Sequence, residues 1–150
     1  MNQNITTPNV LFCKWTSICE NGIDNGFQQL GYNVDYITQL FESVDYDQKY
    51  LQTLANKLQE KNYDFVFTVN FIPIVSRVCN VFKIPYVCWT VDNPCFQLYS
   101  ETIKNPYNRI FMFDQSQYLK FQHLNPNCIF YMPLACDYSS WNSFTLTDSD

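Results

Sequence analysis

The sequence predicts a doubly wound α/β fold built on a parallel β-sheet. Short apolar segments of strand length alternate along the chain with segments whose apolar residues recur every three or four positions, as in amphipathic helices. Two of the short segments, Val66–Val69 and Val87–Trp89, are apolar on both alternating faces, which is typical of strands covered on both sides. The 150 residues, 47% of them hydrophobic, are enough for one compact domain.

Periodicity and helix-ending residues assign the first two strands and the helix between them. Asn9–Trp15 is predicted as the first strand, and Ser17 can cap the helix that follows. The apolar face of this helix continues to Leu30, after which Gly31 supplies a C-terminal stop. Asn33–Ile37 is predicted as the second strand.

The middle of the chain predicts a second helix, a buried strand and a third helix. Either Asp45 or Asp47 caps the second helix, whose apolar face continues to Leu58. Asp64–Val69 is predicted as the third strand and Ile72–Phe82 as the third helix. Strands one, three and four are expected at the centre of the sheet, because the third and fourth are apolar on both faces.

Three more strands and two short helices are predicted in the second half of the chain. The strands are Tyr86–Thr90, Arg109–Phe113 and Ile129–Met132, and the helices are Phe96–Ile103 and Ser116–Leu124. Beyond them the pattern fades into polar residues with isolated apolar ones. We therefore expect one domain over residues 1–137, and a tail or the start of an interdomain linker over residues 138–150.

Charge and hydropathy exclude several kinds of partner. The net charge is −5 and the nine Lys and Arg residues are scattered, so the sequence predicts no basic surface for nucleic acid or for an anionic membrane. The longest apolar stretch, Phe65–Val75, is interrupted by polar residues and is too short to span a membrane. The polar first residues lack the pattern of a secretory signal, which predicts a cytoplasmic protein.

Missing motifs exclude further classes of protein. The seven cysteines form no Cys-x-x-Cys pair, so no zinc site or redox motif is predicted and most are expected to be buried thiols. No Gly-x-Gly-x-x-Gly follows the first strand, so NAD and FAD are not expected, and the P-loop and nucleophile-elbow motifs are also absent. The sequence therefore predicts no metal and no cofactor.

The ends of the predicted strands are where a ligand is expected. Ligands of open α/β sheets bind outside the carboxyl ends of the strands, so these segments should line one cleft. The segments are Trp15–Ser17, Asn70–Phe71, Thr90–Pro94, Asp114–Ser116 and Leu134–Asp137.

The segment after the fourth strand carries the most chemistry. Asp92 is expected at the floor of the cleft, where its carboxylate can accept a proton from a hydroxyl, and Asn93 can hydrogen-bond a hydroxylated ligand. That Asp92 instead caps the following helix fits the spacing equally well. For Asp114, at the start of a predicted helix, capping is favoured. Trp15 can stack on a sugar or a base, or it can simply end a core strand.

A second pair of carboxylates precedes the second helix. Asp45-Tyr46-Asp47 has the form of the Asp-x-Asp element with which one class of sugar transferases holds a metal and a diphosphate, since two such carboxylates can share a cation. Capping of the helix is the favoured interpretation, because carboxylates at this position accept hydrogen bonds from free backbone N–H groups.

Several motifs together resemble one protein family. The most specific are the block from Ile84-Pro85-Tyr86 to Trp89-x-x-Asp92-x-Pro94 and the block Phe111-x-Phe113-Asp114, supported by Asn70-Phe71-Ile72-Pro73, by Asn105 and by the segment from Tyr131 to Ala135. In order and spacing they resemble the N-terminal domain of CgeB-like, spore-maturation-type bacterial glycosyltransferases, over residues 9–137. Asn93 stands where this family more often has serine.

The resemblance implies a GT-B architecture, in which two Rossmann-like domains face each other across a cleft. The acceptor, which can be a sugar, a peptide or another hydroxylated molecule, would bind mostly to the N-terminal domain and the nucleotide-sugar donor mostly to the C-terminal one, without a bound metal. The chain would be the acceptor half, inactive without the donor half. Asp92 would be catalytic, and the predicted substrate-binding residues are Trp15, Thr16, Asn70, Asn93 and Asp114.

A different class of function stays open beside this one. The chain can be a free-standing α/β module that binds a ligand or another protein without catalysis. A receiver-type module would need clustered acidic residues after the first strand, where this chain has Lys14, Trp15 and Thr16. A second βα array encoded after Asp150 would favour the transferase.

Overall fold

The computed structural model describes residues 7–136 and shows six parallel strands in one sheet. The strand order is β2-β1-β3-β4-β5-β6, which confirms the predicted α/β parallel sheet with β1, β3 and β4 in its interior. The strands are β1 (Asn9–Cys13), β2 (Asn33–Ile37), β3 (Phe65–Val69), β4 (Tyr86–Thr90), β5 (Asn108–Met112) and β6 (Ile129–Tyr131).

Four α-helices and three 3-10 helices connect the strands in the described part of the chain. The α-helices are α1 (Glu20–Gln29), α2 (Gln48–Glu60), α3 (Pro73–Phe82) and α4 (Gln115–Phe121). The 3-10 helices are Phe96–Tyr99, Glu101–Lys104 and Gln122–Leu124. Gly31, with a φ of 74°, ends α1 as predicted, because the Tyr32 N–H donates to the Phe27 carbonyl in a left-handed C-terminal cap.

The beginning of α1 differs from the prediction. The first strand stops at Cys13 and the helix begins at Glu20, so Ser17 does not occupy the N-cap position. The Trp15 N–H donates to the Glu20 carboxylate at 2.7 Å, which folds the intervening residues into a turn. This turn takes up the residues that periodicity had assigned to the end of the strand and the start of the helix.

The predicted helix Phe96–Ile103 is also wrong in type. Two 3-10 turns replace it, and Ser100 lies between them in an extended conformation. The Ser100 side chain accepts from the Thr102 N–H and so caps the second turn. An extended residue in the middle cannot continue the i to i+4 hydrogen bonds of an α-helix, which accounts for the break.

The direction of the crossovers decides which face each helix covers. The connection from β1 to β2 crosses the sheet in one direction, and every later connection crosses it in the opposite direction. Because crossovers are right-handed, α1 lies on one face and the later helices lie on the other. The larger core cluster contains Leu54, Ile74 and Phe121 from α2, α3 and α4. The smaller one joins Phe12 and Phe67 to α1.

Burial of the cysteines follows the prediction. All seven are free thiols, and Cys13, Cys88 and Cys128 are buried. Burial raises the pKa of the Cys13 thiol to about 12, and it raises the pKa of Cys88 as well. These thiols therefore stay protonated at neutral pH and act as small apolar side chains.

Candidate functional site

The sheet has its topological switch point between β1 and β3. The connection that leaves β1 contains α1 and crosses one face, whereas the connection that leaves β3 contains α3 and lies on the other. In open α/β sheets a crevice opens at the carboxyl ends of such a strand pair, and ligands bind there. Trp15 and Asn70, which follow these two strands, are therefore at the expected place.

Trp15 bridges this switch point through its side chain. Its indole N–H donates to the Val69 carbonyl at the end of β3, with 2.7 Å between the atoms, and its backbone N–H donates to the buried Glu20. The half-buried ring packs against the main core. This geometry favours the structural interpretation of Trp15, since its polar atom is already used within the protein.

Thr16, next to Trp15, is exposed and has a φ of 80°. A β-branched residue in this left-handed region is strained, because its Cβ approaches its own backbone closely. No hydrogen bond in the described residues joins the Thr16 side chain to the other predicted site residues. Its assignment to substrate binding stays a prediction.

Asn70 is the residue that organises the edge of the sheet. It is buried, with 6% of its surface exposed, and has a φ of 59°, which asparagine tolerates better than most residues. Its Oδ1 accepts from the Val91 N–H at 2.8 Å and from the Asp92 N–H at 3.3 Å, while its Nδ2 donates to Asp92 Oδ2 at 2.6 Å. One side chain thus fixes both the backbone and the carboxylate that follow β4.

A buried network holds Asn70 in this conformation. The Thr68 hydroxyl donates to the Asn70 carbonyl at 2.6 Å and also contacts the Tyr86 hydroxyl at 2.6 Å. The Ile72 N–H donates to that same tyrosine oxygen at 2.8 Å. Complete burial raises the pKa of Tyr86, so its hydroxyl stays protonated and can donate to the Thr68 oxygen. The turn after β3 is therefore pre-organised.

Asp92 presents a carboxylate that is only partly engaged. The residue is exposed, Asn70 binds its Oδ2, and no hydrogen bond from residues 7–136 reaches its Oδ1. Gln117 on α4 donates its Nε2 to the Asp92 carbonyl at 3.0 Å, which fixes the backbone from the other side. The helix-capping alternative is excluded, because the next helix has Cys95 at its N-cap and no side-chain cap.

Asp114 has the capping role that the sequence favoured. Its Oδ1 accepts from the Gln117 N–H at 2.8 Å and from the Ser116 hydroxyl, at the first turn of α4. Hydrogen bonds from Ser116, from the Gln117 backbone and from the Asn93 side chain lower the pKa of the Asp114 carboxyl. Asn93 and Asp114 are thus neighbours, and their role in substrate binding stays a prediction.

Two residues that sequence reasoning missed hold the site together. Gln117 and Glu20 are both buried, with 6% of each exposed, and each binds the backbone of a predicted site residue. Gln117 lies three residues after the N-cap Asp114, the spacing at which a glutamine usually turns back to its own helix start. That spacing signals a capping role, but the contact across to Asp92 depends on the tertiary arrangement of β4 and α4.

One of the two aspartates before α2 caps the helix. Asp47 Oδ1 accepts from the Tyr50 N–H at 2.9 Å and Oδ2 accepts from the Glu42 N–H at 2.9 Å, and these bonds lower its pKa. Asp47 is therefore the cap, whereas the structure shows no cap at Asp45. No group of three or more histidine, cysteine, aspartate or glutamate residues within residues 7–136 is placed to hold a metal ion.

The site is an edge of the sheet rather than an enclosed cavity. Two surface depressions elsewhere, of about 480 and about 320 Å³, are lined by α2 alone and by α2 with α3, and neither includes a predicted site residue. The carboxyl edge is the stronger candidate, because within residues 7–136 the switch point and the Asp92 carboxylate held by Asn70 both lie there. In the described part of the chain no helix has both the length and the apolarity needed to cross a membrane.

No protein-family model matches the chain. No curated protein sequence matches it significantly. A function is therefore indicated by the geometry described above and by the motifs in the sequence.

Proposed function

We propose that the chain is the N-terminal, acceptor-side domain of a nucleotide-sugar-dependent glycosyltransferase of the GT-B type. The six-stranded parallel sheet is compatible with the Rossmann-like half of such an enzyme. The proposal also draws on the motif resemblance, whose most specific block includes Trp89, Asp92 and Pro94.

The observation that carries the proposal is the state of the Asp92 carboxylate. It follows an interior strand, one oxygen is fixed by Asn70, and the backbone is held by Gln117. The other oxygen receives no hydrogen bond from the described residues. A carboxylate that is oriented but not fully engaged can accept a proton from a bound hydroxyl, which is what a general base requires.

The proposed reaction divides between two domains. The acceptor hydroxyl binds at the carboxyl edge, its oxygen forms the new bond to the anomeric carbon of the donor sugar, and its proton passes to Asp92. The bond from that carbon to the nucleoside diphosphate breaks, and the diphosphate leaves with the bonding electrons. A second domain of the GT-B type holds the donor, so catalysis needs both domains to fix the two substrates in one geometry.

The free thiols support a reducing compartment for this activity. We propose the cytoplasm, in agreement with the expectation from the sequence. This location can be tested separately from the reaction by fractionating cells that express the protein.

The decisive experiment measures sugar transfer with and without a donor domain. Residues 1–150 alone, and the same residues together with a cognate C-terminal domain, are incubated with a panel of nucleotide sugars and hydroxylated acceptors. We expect no turnover from the chain alone and turnover from the two-domain protein. Release of nucleoside diphosphate and the mass of the glycosylated acceptor are the two readouts.

Three outcomes would count against the proposal. Turnover by residues 1–150 alone would show that the donor site is not on a second domain. A two-domain protein that folds and binds a nucleotide sugar, yet has full activity as Asp92→Asn, would remove the assigned base. Ligand binding or protein binding without transfer in any combination would favour the non-catalytic module.

A further inference from the structure

The positive charges of the chain lie mostly away from the carboxyl edge of the sheet. Each helix between parallel strands runs back from the carboxyl edge, so its C-terminal end lies at the amino edge, where the next strand begins. Six of the nine Lys and Arg residues are at such helix ends or at the start of the next strand, and they are Lys57, Lys61, Lys83, Lys104, Arg109 and Lys120. Residues 1–6 and 137–150, outside the described part, contain no Lys or Arg in the sequence.

The remaining three cations are Lys14, Lys49 and Arg77. Lys14 follows β1 at the carboxyl edge, but its ammonium is 2.7 Å from the Asp24 carboxylate, and both side chains are mostly buried. Lys49 is exposed in the first turn of α2, which connects β2 to β3. Arg77 is in the middle of α3 and lines the depression between α2 and α3. The turns that follow β4 and β5 thus contain no cation.

Carboxylates, in contrast, do lie at the carboxyl edge. Asp92 and Asp114 follow β4 and β5, which are neighbours in the sheet, and Gln117 binds the backbone carbonyl of the first and the carboxylate of the second. Glu20 adds a third carboxylate after β1. The hydrogen bonds to Asp114, first of all that from Ser116, lower its pKa, so this carboxyl is ionised at neutral pH. Charge of one sign attracts ligands of the opposite sign and repels those of the same sign.

Two buried side chains beside Asp92 have a polar atom without a hydrogen-bond partner within residues 7–136. Gln117, 6% exposed, donates its Nε2 to the Asp92 carbonyl, but its Oε1 accepts no hydrogen bond. Thr90, fully buried at the end of β4, has an unpaired Oγ1 and lies on the same face of the strand as Cys88 of the larger core cluster. Gln117 lies one helical turn before Phe121 of that cluster. Both unpaired atoms therefore lie between β4 and α4.

The unpaired atoms at this turn favour a ligand that donates hydrogen bonds. Asp92 Oδ1 and Gln117 Oε1 can only accept, and the Thr90 hydroxyl can accept as well as donate. An ammonium group supplies three N–H donors together with a positive charge, whereas a phosphate or carboxylate group would add a like charge. We propose that the acceptor carries an ammonium group beside the hydroxyl that receives the sugar, and that Asp92, Asp114 and Gln117 select it. This inference rests on the proposed function, because it names the class of acceptor.

Binding to the full 150-residue chain tests the choice of ligand without any transfer reaction. Two matched pairs of probes are titrated at constant ionic strength and at a pH below 7, and amide shifts are recorded by NMR. One pair is glucosamine and N-acetylglucosamine, and the other is a serine–lysine peptide and the same peptide acetylated on its lysine. We expect the amine-bearing member of at least one pair to bind more tightly by at least about threefold, the effect of an ion pair near a protein surface. The pair that responds identifies an amino sugar or a peptide amine as the source.

Two charge-removing variants and one control locate the preference. Asp114→Asn removes a charge and still caps α4, and Asp92→Asn removes the carboxylate that Asn70 holds. We expect each variant to bring the two members of the responding pair toward equal affinity, with binding of the acetylated member unchanged. Asp45→Asn is the matched control and should keep the full preference, because Asp45 is exposed before α2 and its carboxylate accepts no hydrogen bond from the described residues. The unfolding midpoint of each variant shows that it is folded.

Several results would overturn the inference. They are equal affinities within both pairs, no binding of either amine, and tighter binding of glucose 6-phosphate than of glucosamine. Loss of the preference in Asp45→Asn as complete as in Asp114→Asn, or displacement of glucosamine by Mg²⁺ bound at Asp92, would overturn it too. In the two-domain protein, equal kcat/KM for an amine and its acetylated form removes the inference but leaves the transferase. No transfer to either form, with the binding preference intact, removes the proposed function and leaves the edge as a site for ammonium ligands.

Discussion

The turns that follow β4 and β5 begin alike and end differently. Each strand is followed within two residues by an aspartate, Asp92 after β4 and Asp114 after β5. Asp114 is the N-cap of α4, and its Oδ1 accepts the Gln117 N–H of that helix. Asp92 precedes no helix start that it could cap and is held instead by the side chain of Asn70.

The difference shows that the residues around an aspartate decide what its charge is used for. Gln115 begins a helix directly after Asp114, so the free N–H groups of that helix are within reach. After Asp92 the chain does not turn helical until Phe96. Asp92 is therefore left free of helix capping because no helix begins beside it, whereas Asp114 is engaged by α4.

The largest effect is expected from neutralising the two aspartates in a catalytically complete enzyme. Asp92→Asn should lower turnover by about 10²- to 10⁴-fold, because it removes the proton acceptor and nearly preserves the shape. Asp114→Asn should change turnover by less than about tenfold, because an asparagine can still cap α4. The rate of nucleoside diphosphate release under saturating substrates measures both.

Thermal unfolding of the same two variants provides the control. We expect Asp92→Asn to unfold near the wild-type temperature, since the backbone after β4 is still held by Asn70 and Gln117. An Asp92→Asn enzyme that melts early yet turns over at the wild-type rate would make Asp92 structural. Equal losses of turnover in the two variants would show that the comparison between the turns does not separate their functions.

The next largest effect should come from the residue that makes the two turns differ. Asn70→Ala leaves the Val91 and Asp92 N–H groups without their acceptor, at a cost of about 1–3 kcal/mol of unfolding free energy. Alanine also tolerates a φ of 59° less well than asparagine, so the substitution adds backbone strain. Chemical denaturation of the two-state transition measures the sum.

Asn70→Gly separates these two contributions. Glycine adopts the left-handed conformation without strain, so this variant should lose the hydrogen bonds only and be more stable than Asn70→Ala. If the two variants are equally stable, the strain at Asn70 is negligible. If both variants are as stable as the wild type, the Asn70 side chain does not organise the turn.

The sequence anticipated the sheet because its signals are local. The strand order of the interior, the bounds of β2 and β4 and the stop at Gly31 all follow from apolar patterning and from one glycine. The helix predicted over Phe96–Ile103 failed because a serine in its middle adopts an extended conformation. Propensity alone does not reveal that Ser100 caps a second turn.

The site was predictable in position but not in connections. The rule on strand ends placed Asn70, Asp92 and Asp114 on one edge, and the structure does bring them together. Asn70 was predicted to bind substrate, whereas in the structure its side-chain amide holds the Asp92 carboxylate. Contacts between residues 22 positions apart along the chain, as here, depend on the tertiary arrangement, which no local pattern encodes.

The capping role of the Asp114 charge should be visible in the pH dependence of stability. The folded state lowers the pKa of Asp114, so the stability contributed by its charge is present above the unfolded value of about 3.9 and is lost as the pH falls through the lowered folded value. The wild type should have a higher unfolding midpoint than Asp114→Asn at pH 7, and this difference should shrink as the pH falls below the unfolded pKa and vanish below the lowered folded pKa. A gap that stays constant with pH would show that the charge of Asp114 contributes nothing.

The smallest effects are expected at the second pair of carboxylates, Asp45 and Asp47. Asp47→Ala removes the acceptor of the Tyr50 and Glu42 N–H groups and should lower the unfolding midpoint by a few degrees. Asp45→Ala should leave it unchanged, because Asp45 is exposed and its carboxylate accepts no hydrogen bond from the described residues.

Both oxygens of Asp47 are already engaged, so Mn²⁺ or Mg²⁺ should raise the midpoint of neither the wild type nor the variants. A metal-dependent increase that is present in wild type and absent from both Asp45→Ala and Asp47→Ala would show instead that the pair shares a cation, and the helix cap would then be one of two roles for Asp47.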